Sequence, residues 1–116
     1  MSQQILIIAS GAPYGSESLF NALRLGLALQ EEGASLRLFL LSDAVSAAIA
    51  TQAPAEGYHL RQMLDILLVQ GAEVRLCQSC CDARGIGALP LIEGIRIDHL
   101  PTLAQWTLAA DKVLTF

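Results

Sequence analysis

All three cysteines of the sequence fall within five residues, in the stretch Leu76-Cys77-Gln78-Ser79-Cys80-Cys81-Asp82-Ala83-Arg84-Gly85. A strand-like run, Val74-Arg75-Leu76, leads into them, and a glycine able to end a short helix follows. A thiol at the carboxyl end of a strand, facing the amino end of a helix, sits where the helix dipole and the unpaired N–H groups favour negative charge, so its thiolate is stabilised. Cys77 is placed that way. Arg84 follows it by seven residues, about two turns if the segment is helical, and a guanidinium near the sulfur favours a thiolate or a persulfide anion.

The Cys77-x-x-Cys80 spacing permits a redox dithiol with Cys80 as resolving thiol, half of a metal site, or one working thiol with cysteine neighbours. A zinc site normally needs four ligands, and His59, His99 and Cys81 complete no established spacing, so no metal and no cofactor are expected. The strand-to-helix position supports the dithiol, yet no aromatic precedes the motif as in thioredoxin-like enzymes. Burial of a small thiol accounts for Cys80 or Cys81 more readily than for Cys77. A histidine acting as base for Cys77 would make a cysteine hydrolase, but neither His59 nor His99 has a spacing that argues for a dyad.

The elements that must position these residues are legible from their periodicity. Gln4–Ala9 is a continuous aliphatic run, as in a strand buried on both faces, and is expected to be the central strand. It breaks at the turn-rich 10–16 loop, where Ser16 is a candidate cap for a helix running from about Glu17 to Glu32 and stopping at Gly33. That helix is apolar almost all round, which demands cover from the sheet and from something else, such as another subunit. Ser35–Leu41 reads as a second strand, followed by Ser42 as cap of a short helix over 44–50. Thr51–Gly57 is a loop, Tyr58–Val69 a helix closed by Gly71, and Glu73–Cys77 the third strand. A short strand at Ile95–Ile97, a helix from about Leu100 to Ala110 capped by Asp98, and a last strand Val113–Phe116 complete the chain.

Strands alternating with helices point to an α/β fold, with a mostly parallel sheet and helices on both faces, in a single domain over residues 1–116. Ligands collect at the carboxyl edge of such sheets. The residues gathered there define a candidate pocket of Tyr14, Glu17, Asp43, Ser79 and Gly85 around Cys77. The Gly11–Glu17 loop matches neither GxGxxG nor GxxxxGK[ST], which argues against nucleotide binding.

Composition bounds the partners. The chain is 53% hydrophobic and 16% charged, against roughly 45–50% and about 25% in ordinary domains. No apolar run is long enough to span a bilayer and no basic segment precedes the first one, so the surplus suggests subunit interfaces rather than membrane. The net charge of −4, with seven Lys and Arg spread singly, offers no stripe for phosphates, so no nucleic acid is expected. An odd number of clustered cysteines fits free thiols in a reducing cytoplasm.

Four segments in order carry a resemblance. Gly11-x-Pro13-Tyr14-Gly15-x-Glu17, Leu38-Phe39-Leu40-x-Ser42-Asp43-Ala44-Val45, Leu76-Cys77 with Cys80 and Arg84-Gly85, and Ala110-Asp111-Lys112-Val113-Leu114-Thr115-Phe116 together resemble the DsrE/DsrF-like sulfur-relay family, in its YchN-type branch. The resemblance implies a three-layer α/β/α sandwich with a five-stranded, mainly parallel sheet, and a homo-oligomer, commonly a trimer or hexamer. It also implies that Cys77 carries sulfane sulfur as a persulfide between donor and acceptor proteins, with Arg84-Gly85 at the family's Arg-Gly position. A thiol–disulfide redox protein and a non-catalytic oligomeric binding module are the alternatives.

Overall fold

The computed structural model describes residues 2–54 and 59–116. The strands are β1 (Gln4–Ala9), β2 (Ser35–Leu40), β3 (Glu73–Cys77), β4 (Arg96–Asp98) and β5 (Lys112–Thr115). The helices are α1 (Ser18–Glu31), α2 (Leu60–Val69), α3 (Gln78–Ala83) and α4 (Leu100–Ala109), with a 3-10 helix at Ser42–Ala48. The expected 51–57 loop and the helix start at Tyr58 fall partly outside the described residues.

The five strands form one sheet in the order β4-β3-β2-β1-β5, and every pairing is parallel. β2, not β1, is therefore the middle strand. β1 is as buried as its sequence demands, but only β5 lies beyond it, whereas β3 and β4 both add on the far side of β2.

Strand alternation divides the core into two faces. Ile5, Ile7 and Ala9 of β1 stand in register with Leu36, Leu38 and Leu40 of β2, and Leu38 and Leu40 with Val74 and Leu76 of β3. All of these are buried. α1 and α2 cover this face, and Gly26 of α1 is what lets them approach. A methyl group there would lie 2.9 Å from Leu36 Cδ2 and 3.3 Å from Leu67 Cδ2 of α2. Leu25 and Ala28 of α1 stay exposed beyond the reach of sheet and α2.

The opposite face carries Leu6 and Ile8, then Arg37 and Phe39, then Arg75 and Cys77, and finally Arg96 and Asp98. α4 crosses it, completing three layers. Its anchor is Trp106, 7% exposed, whose ring meets Phe39 edge-on at 6.0 Å and lies under the guanidinium groups of Arg37 at 4.9 Å and Arg75 at 5.5 Å. Trp106 thus buries apolar area and receives two cation–π contacts from side chains of the sheet itself.

None of the three expected caps forms. At α1 the cap position is Glu17 rather than Ser16, and no side chain bonds to the helix start there. Ser42 adopts φ 52° and lies inside the 3-10 helix rather than ahead of a helix at 44–50. At α4 the cap position is His99 rather than Asp98, with no side-chain cap bond; Asp98, one residue earlier at the end of β4, accepts through Oδ1 from His99 N at 2.7 Å and Thr102 Oγ1 at 2.8 Å.

Gly26→Ala tests the close approach. Alanine favours the helix interior by about 1 kcal/mol, but a methyl group forced against the buried Leu36 and Leu67 costs about 1–3 kcal/mol. The variant is expected to be less stable by about 1 kcal/mol, read as a lower urea midpoint at unchanged m value. A raised midpoint would mean that the two leucines yield.

Candidate functional site

Cys77 is the last residue of β3 and the cap residue of α3, with φ −65° and ψ 122°, so the chain turns from strand to helix at its own Cα. Its sulfur is surrounded by donors from the next three residues. Ser79 Oγ lies 3.2 Å from Cys77 Sγ. Burial resists ionisation of this thiol, but hydrogen bonds from the Cys80 and Ser79 side chains, and from their backbone N–H groups, outweigh it and bring the thiol below its ordinary range.

Cys81, one turn further on, shows the reverse. It is fully buried, and burial, followed by the charges of Cys77, Cys80 and Asp82, pushes its thiol up, with Arg84 opposing only weakly. Cys80 is half-buried, and all three thiols are free. The cluster therefore contains one thiol prepared to ionise and one held neutral.

Cys77 is 7% exposed and opens onto a cleft of about 360 Å³ lined by Cys77, Gln78, Ser79, Asp82, His99 and Leu100. β4 brings the far wall. It pairs with β3 so that Asp98 stands in register with Cys77, and the chain leaves the sheet directly into His99 and α4. Asp98 is held there in its ionised form. Hydrogen bonds from His99 N and Thr102 Oγ1 hold its carboxyl below the usual range, against a smaller effect of burial, and Arg75 Nε lies 3.6 Å from its Oδ2.

Of the residues expected here, Cys77 and Ser79 share the cleft, and Cys80, outside its lining, helps lower the Cys77 thiol. Arg84 has a different position from the one expected. Its guanidinium meets Asp43 Oδ1 through Nε at 2.9 Å and through Nη2 at 2.8 Å, and it also contacts Cys80 O at 3.1 Å and Ser42 Oγ at 3.4 Å. It ties the end of α3 to the 3-10 helix and is not among the groups that shift Cys77. Asp43 is its partner and not part of the Cys77 cleft.

Gly85, at φ 65°, ends α3 in a left-handed conformation that only glycine adopts readily. Tyr14 and Glu17 do not line the cleft. Tyr14 OH donates to Gln52 Oε1 at 2.6 Å and accepts from Leu60 N at 3.0 Å, fixing the first loop to the start of α2. Glu17 holds the exposed cap position of α1.

The sequence offers His99 as a zinc ligand or a base for Cys77 without a supporting spacing for either, and does not show its place in the cleft, nor those of Gln78, Asp82 and Leu100. Gln78 and Asp82 follow from the helical reading of the cysteine segment. His99 follows only once β4 is known to lie beside β3. Among the described residues, no three of His, Cys, Asp and Glu gather as a metal site, and no helix is long and apolar enough to cross a membrane.

Ser79→Ala removes one donor from Cys77. Iodoacetamide alkylation of Cys77 is expected to slow about tenfold or more at pH 7, since one hydrogen bond to a charged acceptor is worth about 1.5–3 kcal/mol, and its midpoint to move to higher pH. An unchanged rate–pH profile would show that Cys80 and the backbone suffice.

The match to known proteins covers the same elements. The model of the DsrE/DsrF-like family matches residues 3–116. Protein YchN of Escherichia coli K12 is 61% identical over 116 residues, covering 98% of this chain and 99% of its own. An uncharacterised protein of Methanopyrus kandleri is 35% identical over 112 residues, covering 97% and 93%. The crystal structure of the E. coli YchN protein superposes with a TM-score of 0.95 at 60% identity, over 98% of this chain and 99% of that one. A protein of unknown function from Methanobacterium thermoautotrophicum shares the fold, with a TM-score of 0.76 at 12% identity over 99% and 100% of the two chains. With the family model spanning every strand and helix that builds the Cys77 cleft, the chain belongs to the DsrE/DsrF-like family.

Proposed function

We propose that this protein carries sulfane sulfur as a persulfide on Cys77, passing it from a donor protein to an acceptor protein in a reducing compartment. The observation that supports this reading most is the donor set on Cys77 Sγ: side-chain and backbone donors of Ser79 and Cys80 lower the thiol despite its burial, at the mouth of an open cleft. A thiolate is the nucleophile for attack on the outer sulfur of a persulfide, and the same donors stabilise Cys77 as a leaving group when the sulfur departs. No cofactor enters the reaction.

The second reading is a dithiol that cycles between Cys77 and Cys80. The lowering of the Cys77 thiol by the Cys80 side chain favours it. A homo-oligomer accompanies either reading. Leu100, Leu108 and Val113 on and beside α4 are 64%, 88% and 39% exposed, an apolar surface of the kind that association covers.

One experiment separates the two chemistries. The purified protein is incubated with a sulfane donor under anaerobic conditions, alkylated with a persulfide-selective reagent and mapped by peptide mass. One added sulfur on Cys77 is expected, reduced at least tenfold in Cys77→Ser and retained in Cys81→Ser. Loss of two hydrogens across Cys77 and Cys80 with no added sulfur would instead establish the dithiol. Labelling in Cys77→Ser as strong as in the unaltered protein would place the carrier elsewhere.

A further inference from the structure

We infer that His99 is the proton donor and acceptor for the sulfur that leaves or attacks at Cys77, a catalytic residue supplied by the second wall of the cleft. The inference rests on Cys77 exchanging sulfur, as proposed above, but its geometry is independent of which sulfur compound is used. β3 ends at Cys77, β4 ends at Asp98 in register beside it, and the next residue, His99, lines the same 360 Å³ cleft with an exposed side chain.

The cleft has a requirement that the donors around Cys77 do not meet. Ser79, Cys80 and the backbone N–H groups stabilise the charge on Cys77 itself. They leave the other sulfur of the reaction, the one that departs from the donor molecule, without a proton. An alkyl thiolate is a poor leaving group because its conjugate acid is weak, with a pKa of about 8.5. Imidazole is the side chain able both to give and to take a proton near neutral pH.

The other charged groups around His99 are compatible with that duty. Asp82 lines the cleft from α3 and Cys77 from β3, while the Asp98 carboxylate at the end of β4 is engaged by His99 N, Thr102 Oγ1 and Arg75. α4 contributes no titratable side chain. Among the residues that line the cleft, His99 is the one imidazole.

The steps close as a cycle. Cys77 thiolate attacks the outer sulfur of R–S–SH. The Cys77 Sγ–S bond forms, the R–S–S bond breaks with its electron pair going to R–S⁻, and the proton of His99 converts that to R–SH. Cys77–S–SH and neutral His99 remain. An acceptor thiol then gives its proton to His99 and attacks the outer sulfur, and Cys77 departs as the thiolate held by Ser79 and Cys80. The transferred sulfur keeps its oxidation level, and no outside oxidant or reductant is consumed.

The test uses the leaving group as probe. His99→Gln and the parent are compared on a Cys80→Ser background, whose hydroxyl cannot resolve a mixed disulfide. Each reacts with glutathione disulfide, whose alkyl thiolate needs a proton, and with an aryl disulfide releasing 5-thio-2-nitrobenzoate, whose thiolate does not. With glutathione disulfide, His99→Gln is expected to slow attack by about 100-fold, the lower end of what a positioned acid contributes. With the aryl disulfide its rate should match the parent's, which also shows that the variant is folded. Added imidazole should restore the alkyl reaction in His99→Ala.

Equal slowing with both disulfides, no slowing with either, or no response to imidazole would overturn the assignment. A parent that reacts with neither disulfide would overturn it too. If the leaving-group dependence holds but no persulfide forms on Cys77 from a sulfane donor, His99 keeps its role and the sulfur-carrier reading fails.

Discussion

The lowered thiol of Cys77 depends on donors that are local in sequence to the sulfur they serve. Cys77 ends a strand and caps a helix, so the chain folds back over its own thiol within three residues and delivers Ser79 and Cys80 to it, by side chain and by backbone N–H. Because α3 has only six residues, its dipole is modest, and the directed hydrogen bonds carry the effect. The surrounding architecture has to keep the strand end fixed and leave one side of the sulfur open. β2 pairs with β3 up to Leu76 and β4 pairs with it at Cys77 itself, which fixes the strand end from both sides.

Cys81 shows that the cysteine cluster is not electropositive as a whole. It lies on the same short helix, with Arg84 three residues away, yet burial and its thiol and carboxylate neighbours leave it harder to ionise than an ordinary cysteine. The difference from Cys77 is the presence of donors. Burial raises both thiols, and only at Cys77 do hydrogen bonds to the sulfur exceed it. A long-range charge from Arg84 is a poor substitute, since its guanidinium is already engaged by Asp43 at 2.8–2.9 Å.

The strands, the helices and the strand-to-helix step at Cys77 were readable from the sequence because each depends on neighbours along the chain. Alternation and apolar runs give β2 and β3 to within a residue, and the strand-to-helix step at Cys77 needs no knowledge of the rest of the fold. What failed was non-local. Nothing in Gln4–Ala9 says whether its second neighbour is an edge, so β1 passes for the middle strand. Arg84 and Asp43 are each plausible at the sheet's carboxyl edge, but their mutual attraction across 41 residues removes both from the sulfur. Ser16 and Ser42 have the chemistry of caps. The backbone at Ser42 turns left-handed instead, and the first loop reaches α1 through Glu17.

The second wall of the cleft rests on a separate anchor. α4 runs across the sheet face that carries Arg37, Phe39, Arg75 and Cys77, and charged side chains on a sheet face are a poor surface for an apolar helix. Trp106 resolves this by placing its ring against Phe39 and under both guanidinium groups, while Glu73 Oε1 meets Arg37 at 3.2 Å, Glu73 Oε2 meets Arg75 at 3.6 Å, and Arg75 meets Asp98 at 3.6 Å. Ion pairs this exposed contribute little by themselves. Their consequence is positional: Arg75 is shared between the Trp106 ring that seats α4 and the Asp98 carboxylate that begins it. The first turn of α4, with His99 ahead of it and Leu100 within it, is therefore held at a fixed height above Cys77. A sheet face that is charged for most of its width thereby supports a cleft whose two walls come from segments separated in the chain by residues 83–98.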